Sequence, residues 1–358
     1  MLKSIKIKPY ILLPVFLGAA FSAVGADKLT VVSWGGAFTK SQVEAYHKPF
    51  IEATGVQIIS EDFNGGLAEI KAQVESGNVI WDLVSLDKPD IVRGCAEGLL
   101  ETFDPSLLPA GADGTPAKDD FIDGAVHECA VNSIVVSTIL AINEDQFKGK
   151  AKPSKMTDLF DLKTFPGRRG LQKIPQGNME WALLADGVAP QDVYAQLETR
   201  EGRDRAFSKL NTIKEHVFWW TTGAQAPQML ADGEVVISSA FNGRISNAKR
   251  DENQPFKIIW DRQMGYMNGW VIPKGSKNLE RAIEFIVLSS KTKPLADQAK
   301  YISYGPTRKS STINMDKALL DTLPTAPQNF ETAFLVNDEW WGDYADELNE
   351  EFNTWLAK

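Results

Sequence analysis

The sequence predicts an α/β protein of two lobes joined by a hinge, and three observations predict it. Strand-like and helix-like segments alternate from residue 28 onward. A second block with its own strands and helices starts near residue 137. The chain passes between the blocks twice, near 137–143 and near 260–270. The length of 358 residues agrees, because a single core stops growing at about 250–300 residues. The two crossings divide the chain into one lobe of 27–138 with 267–358 and another of 139–266.

The first block reads as strand "LTVVS" (29–33), helix "TKSQVEAYHKPFIEATG" (39–55), strand "VQIIS" (56–60), helix "GLAEIKAQVESG" (66–77) and strand "WDLVSL" (81–86). Thr39 and Gln42 have capping-box spacing and Gly55 supplies the stop. Such alternation implies parallel strands with right-handed crossovers. Ligands of these sheets sit outside the carboxyl ends of the strands, where "SWGGAF" (33–38) and "DKPD" (87–90) fall.

The second block runs from "STILAIN" (137–143) through the loop "FPGRRG" (165–170), a helix at 178–187, a longer helix near 201–213 and the strand-like "HVFWW" (216–220). Neighbouring side chains on a strand point to opposite faces, so Trp219 and Trp220 cannot fill one core together. A helix at 227–233, strand "EVVISSA" (234–240), "FNGR" (241–244), strand "FKIIWD" (256–261), strand "GWVIPKG" (269–275) and helix 278–290 follow. At the end, Trp341, Tyr344, Leu348, Phe352 and Trp355 recur at spacings of three and four, one face of a helix packed across the body.

Residues 1–26 have the layout of a secretory signal: three lysines, an apolar run, then small residues, with cleavage expected after Ala26. Their removal takes three lysines and no acid, moving the formal net charge from −9 to −12. That balance excludes nucleic acid as a partner, which needs clustered Lys and Arg. The two cysteines, Cys95 and Cys129, are expected to pair in a compartment that permits disulfides.

Chemistry is hard to find. The chain has three histidines, no CxxC, no HExxH, no GxSxG and no Walker motif. The seven tyrosines are never adjacent, against a tyrosine-ligated metal carrier. The expectation is of a binding protein, not an enzyme, with neither cofactor nor metal.

The ordered pieces "VVSWGG", "WDLVSLD", "CAEGLLETFD", "FPGRRGL", "GAQAPQMLADGEVVISSAFNGR", "GWVIPKGS" and "YISYGPTRK" resemble the periplasmic solute-binding proteins of ABC importers, of the spermidine/putrescine type. The resemblance implies a periplasmic, monomeric protein with the two-lobed periplasmic-binding-protein fold (type II-like). It closes on a small amine or amino-acid-like solute and passes it to the ABC permease subunits. The family's aromatic positions fall on Trp34, Phe241, Tyr266 and Tyr304, and its polar position after the "DLV" strand on Asp87; Trp220, or Trp219 in its place, supplies a further ring. Such rings hold alkyl-amines by cation–π attraction and burial of methylenes.

The acids match less well. Where polyamine binders carry a carboxylate this chain has Asn268, and in "QKIPQGNME" only Glu180 is acidic. A polyamine such as putrescine or spermidine is the first reading. The alternative is a zwitterion such as γ-aminobutyrate, an amino acid or an opine-like conjugate, gripped through its carboxylate by Arg244. An ordinary inter-lobe salt bridge explains Arg244 equally well.

Overall fold

The computed structural model describes residues 28–358, so the expected export signal lies outside the described residues. Its strands are β1 (Lys28–Ser33), β2 (Gln57–Asp62), β3 (Leu83–Asp87), β4 (Val126–His127), β5 (Ala130–Asn143), β6 (Arg169–Gln172), β7 (Val217–Trp220), β8 (Ile237–Phe241), β9 (Phe256–Val271), β10 (Gly305–Pro306) and β11 (Phe334–Leu335). They follow the order β2-β1-β3-β9-β5-β8-β6-β7, with β4 and β10 on β5 and β11 on β9.

The expected parallel strands form the flanks, β2-β1-β3 on one side and β7-β6-β8 on the other. The centre differs: β9 is antiparallel to β3 and to β5, and β5 is antiparallel to β8. The segment read as a strand at 256–261 and the first residues, 269–271, of the one read at 269–275 belong to the single strand β9, and β5 begins at Ala130 instead of 137. Polar Asn132 and Ser133 obscured that start; both are buried, and Asn132 donates to the Ala125 carbonyl at 3.1 Å.

Where the two long strands pass from one flank to the other, their register jumps. Thr138 faces Met264 and Leu140 faces Ile259, leaving residues 260–263 opposite Ile139 alone. Arg262 in this bulge takes a left-handed conformation, φ 54°. A bulge of this kind bends and twists a ladder.

The first helix starts at Gly36, not Thr39, and continues through a π turn at 43–47 to Thr54, where Gly55 caps it. Thr39 therefore lies inside the helix. Its hydroxyl accepts from the Gly35 N–H at 2.9 Å and donates to Asp62 at 2.7 Å, in place of a capping box. Two segments placed after strands without an assigned conformation, "DKPD" and "FNGR", open helices, Lys88–Ala96 and Asn242–Asp251. Pro89 in the first turn suits a helix start, a signal present in the sequence. Both helices begin directly after a strand, so Asp87 and Phe241 each stand at a strand end and a helix N-terminus.

Cys95 and Cys129 form a disulfide that joins the end of helix Lys88–Ala96 to the start of β5. Closing a loop of this sequence separation, 34 residues, stabilises by about 4 kcal/mol in the chain-entropy picture. The C-terminal helix Asp338–Leu356 buries Trp341, Leu348, Phe352 and Trp355. Lys88 and Arg93 pair with its Asp338 and Asp346 from one side, while Arg203 pairs with Glu347 at 3.0 Å and Glu351 at 3.2 Å from the other. Among the described residues no helix is long and apolar enough to cross a membrane.

Candidate ligand-binding cleft

The carboxyl ends of β1, β3 and β8 converge on one cavity with the crossing strands as its floor. Trp34 follows β1, Asp87 ends β3, Phe241 ends β8 and Tyr266 projects from β9. These four line both a small inner cavity of about 30 Å³ and an outer one of about 310 Å³. Arg244 and Tyr304 complete the inner wall with Phe38, Ile134 and Val136. Asn64, Asp90, Arg93, Gln172 and Trp341 stand around the outer space. An outer volume at the lower end of the ligand-pocket range, about 300–1,000 Å³, suits a small solute.

Of the predicted residues, Trp34, Asp87, Phe241, Arg244, Tyr266 and Tyr304 meet at this cavity, and two do not. Trp220 is 1% exposed and packs edge-on behind Phe241, ring centroids 5.6 Å apart. Trp219 points to the opposite face and packs edge-on against Phe352 and Trp355 of the C-terminal helix. The alternation along β7 separates the two rings as expected, but both faces of β7 are covered, so both rings pack. Asn268 is also buried, one layer behind the cavity. Its amide donates to Asp87 at 2.8 Å and its carbonyl accepts from the Ser85 hydroxyl at 2.5 Å.

The charges in the inner cavity reduce to two. Asp87 is a carboxylate in a largely desolvated setting; burial pushes its pKa up to about 7 against the stabilising Asn268 hydrogen bond, and Asp90 and Asp338 push it further. The same burial holds the hydroxyls of Tyr266 and Tyr304 neutral, Tyr304 being pushed up to about 12. Both tyrosines feel the Asp87 and Arg244 charges, which places all four groups in one electrostatic neighbourhood.

Arg244, 7% exposed, is in the first turn of helix Asn242–Asp251 and crosses to the opposite wall, where Nη2 donates to the carbonyls of Trp34 at 3.1 Å and Gly35 at 3.3 Å. Its path depends on missing side chains: a Cβ on Gly36 would lie 2.9 Å from Nη1 and one on Gly223 only 2.5 Å from Nε. Among the described residues Arg244 has no carboxylate partner, and its buried Nε has no hydrogen-bond partner. The salt-bridge explanation therefore lacks its acid.

No second acid reaches the inner cavity. Glu180 is buried elsewhere, accepting from the Gly177 N–H at 2.7 Å and the Trp341 indole at 2.7 Å, and burial pushes it up to about 7. Asp261 accepts from the Met156 N–H at 2.8 Å in the β9 bulge. Gln225, with Thr221 and Thr222, forms a capped turn in which its carbonyl accepts both threonine N–H groups. Sequence reasoning missed Phe38, Thr138 and Trp341 as lining residues. Phe38 lies in the "SWGGAF" segment already placed at a strand end, whereas Trp341 was read only as part of a packing face.

The chain is 40% identical over 344 residues, 95% of each protein, to the gamma-aminobutyric acid-binding protein of Pseudomonas aeruginosa. The solved structure of the periplasmic binding protein MotA from A. tumefaciens B6 in complex with glucopine is 30% identical, with a TM-score of 0.84 over 92% of this chain and 99% of that one. The solved structure of the Atu4243-GABA receptor is 32% identical, with a TM-score of 0.80 over 93% of this chain and 98% of that one. These neighbours have the two-lobed periplasmic-binding-protein fold. The model of the bacterial extracellular solute-binding proteins matches residues 45–325, and the chain belongs to that family.

Proposed function

We propose that this solute-binding protein captures a small zwitterionic ω-amino acid of the γ-aminobutyrate class and delivers it, from the periplasm, to an ABC permease. The observation that carries the reading is the pairing of one buried, acid-free guanidinium, Arg244, with one carboxylate, Asp87, on the walls of a single aromatic-lined cavity. The solute's carboxylate takes the unused guanidinium donors of Arg244. Its ammonium takes Asp87, with the rings of Trp34, Phe241, Tyr266 and Tyr304 around it and the methylenes.

A polyamine, the first reading of the sequence, fits this charge set poorly. In the inner cavity it would bring a second ammonium toward Arg244, where Asp87 is the only acid in the lining. The gamma-aminobutyric acid-binding relative supports the zwitterion, as does the Atu4243-GABA receptor. The lobes, 27–138 with 267–358 and 139–266, with the C-terminal helix packing across both, turn about Ser137–Ile139 and the β9 bulge. Arg244 belongs to one lobe and Asp87 to the other, so a solute that bridges them binds the closed form more tightly and shifts the population toward it.

Calorimetry on Arg244→Gln tests the assignment. Loss of a charge-assisted contact worth about 1.5–3 kcal/mol weakens γ-aminobutyrate roughly 10- to 150-fold. An unchanged affinity removes Arg244 from the site.

A further inference from the structure

At the far end of the helix that carries Arg244 lies a second cavity, of about 770 Å³, between that helix, the start of β9, the end of helix Thr292–Tyr301 and the short helix Lys317–Leu320. Lys249, Arg250, Lys257 and Lys300 line it against a single acid, Asp321. That acid is already engaged: Lys317 donates to its two oxygens at 2.9 and 2.7 Å. Arg250 pairs with its neighbour Asp251 at 2.7 Å, and Lys300 with Asp297 at 2.7 Å.

Lys249 and Lys257 differ. Among the described residues neither ammonium has an ion-pair or hydrogen-bond partner. Glu144, whose carboxylate both of them influence, is bonded instead to Lys152 at 2.8 Å. Trp260, Ile258, Ala318 and Leu319 supply the apolar part of the lining, with the hydroxyl residues Ser246, Ser303 and Thr322 beside them. In a chain of net charge −9, a pocket whose other charges are paired and whose Lys249 and Lys257 are not carries a local positive excess, opposite in sign to the molecule as a whole. Concavity focuses that field on whatever enters, and an apolar floor with a few convergent charges is the composition of a small-molecule site.

We infer that this cavity is a second binding site, for an organic anion with a flat apolar body, of the aromatic carboxylate class. The carboxylate meets Lys249 and Lys257, and the ring lies against Trp260 and Leu319. None of these residues touches the cleft, so the site stands or falls independently of what the cleft binds.

The test is calorimetric titration of the purified protein with benzoate, repeated on Lys249→Glu/Lys257→Glu and on Arg244→Gln, with inorganic phosphate as the second probe. The expected result is saturable one-to-one benzoate binding that weakens at least tenfold in the double charge reversal and persists in Arg244→Gln. A far-ultraviolet circular dichroism spectrum and a cooperative thermal transition matching the wild type show that the double variant is folded. Absence of saturable benzoate binding overturns the proposal. So does benzoate binding lost in Arg244→Gln but kept in the double variant, which places the anion in the cleft. Phosphate binding as tight as benzoate also overturns it, because it reduces the cavity to a bare electrostatic patch.

Discussion

The Asn268 amide donates to the Asp87 carboxylate at 2.8 Å from one layer behind the cavity. The same amide, through its carbonyl, accepts from Ser85, so its orientation is fixed by two partners. Asn268 thus supports the acid of the cleft while adding no charge of its own. Asn268→Asp places a second carboxylate against the first, and like charges at that separation resist joint ionisation. Measured at pH 8 by calorimetry, the ratio of γ-aminobutyrate to putrescine affinity should move at least tenfold toward putrescine. A ratio that stays put separates Asn268 from charge selection.

Affinity should depend on pH through Asp87. Burial raises its ligand-free pKa to about 7, and an ammonium solute needs the ionised form. Below about pH 7 binding must therefore expel a proton, and affinity falls about tenfold per pH unit; above it the dependence flattens. The solute's own amine and carboxyl titrate outside this range. Calorimetry between pH 5 and 8 in buffers of different ionisation enthalpy reads both the slope and the released proton.

The same shift has a stability signature of unusual sign. An acid raised above its unfolded value binds a proton in the folded state where the unfolded chain has none, so stability falls as pH rises from about 4 through about 7. Asp87 and Glu180, both pushed up to about 7, contribute in this direction. Thermal denaturation of the ligand-free protein should show a higher melting temperature at pH 5 relative to Asp87→Asn than at pH 7.5. A difference independent of pH contradicts the burial of Asp87.

Trp220 supports the cleft from behind Phe241 without lining it. Trp220→Ala removes a fully buried ring, a change that costs about 3–5 kcal/mol in a core. Chemical denaturation should register that loss, while γ-aminobutyrate affinity of the folded fraction drops less than tenfold. Affinity lost at unchanged stability returns the ring to the ligand.

Much of this arrangement is legible in the sequence where local pattern and position agree. Trp34 and Asp87 follow strands, and the carboxyl ends of strands are where a sheet of this kind opens; the C-terminal aromatics repeat at helical spacing and are buried as that spacing implies. What the pattern cannot show is what covers each face. Trp219 and Trp220 alternate as a strand requires, yet the C-terminal helix covers one side of β7 and helix Gln225–Ala231 and its neighbours the other. The continuity of β9 is hidden because Asp261 and Arg262 look like a break, and it is the partner strand β5 that carries the ladder across them. Asn268 reads as a lost acid, and only the pairing of β9 with β3, which sets Asn268 beside Asp87, reveals it as the support of the remaining one.

The most direct test is a calorimetric comparison of γ-aminobutyrate, putrescine, butylamine and butyrate on the wild-type protein at pH 7.5. If Arg244 and Asp87 hold the two ends of one zwitterion, γ-aminobutyrate binds at least a hundredfold tighter than each of the other three. Putrescine or butylamine binding as tightly as γ-aminobutyrate would show that the carboxylate of the solute finds no partner, and would contradict the account.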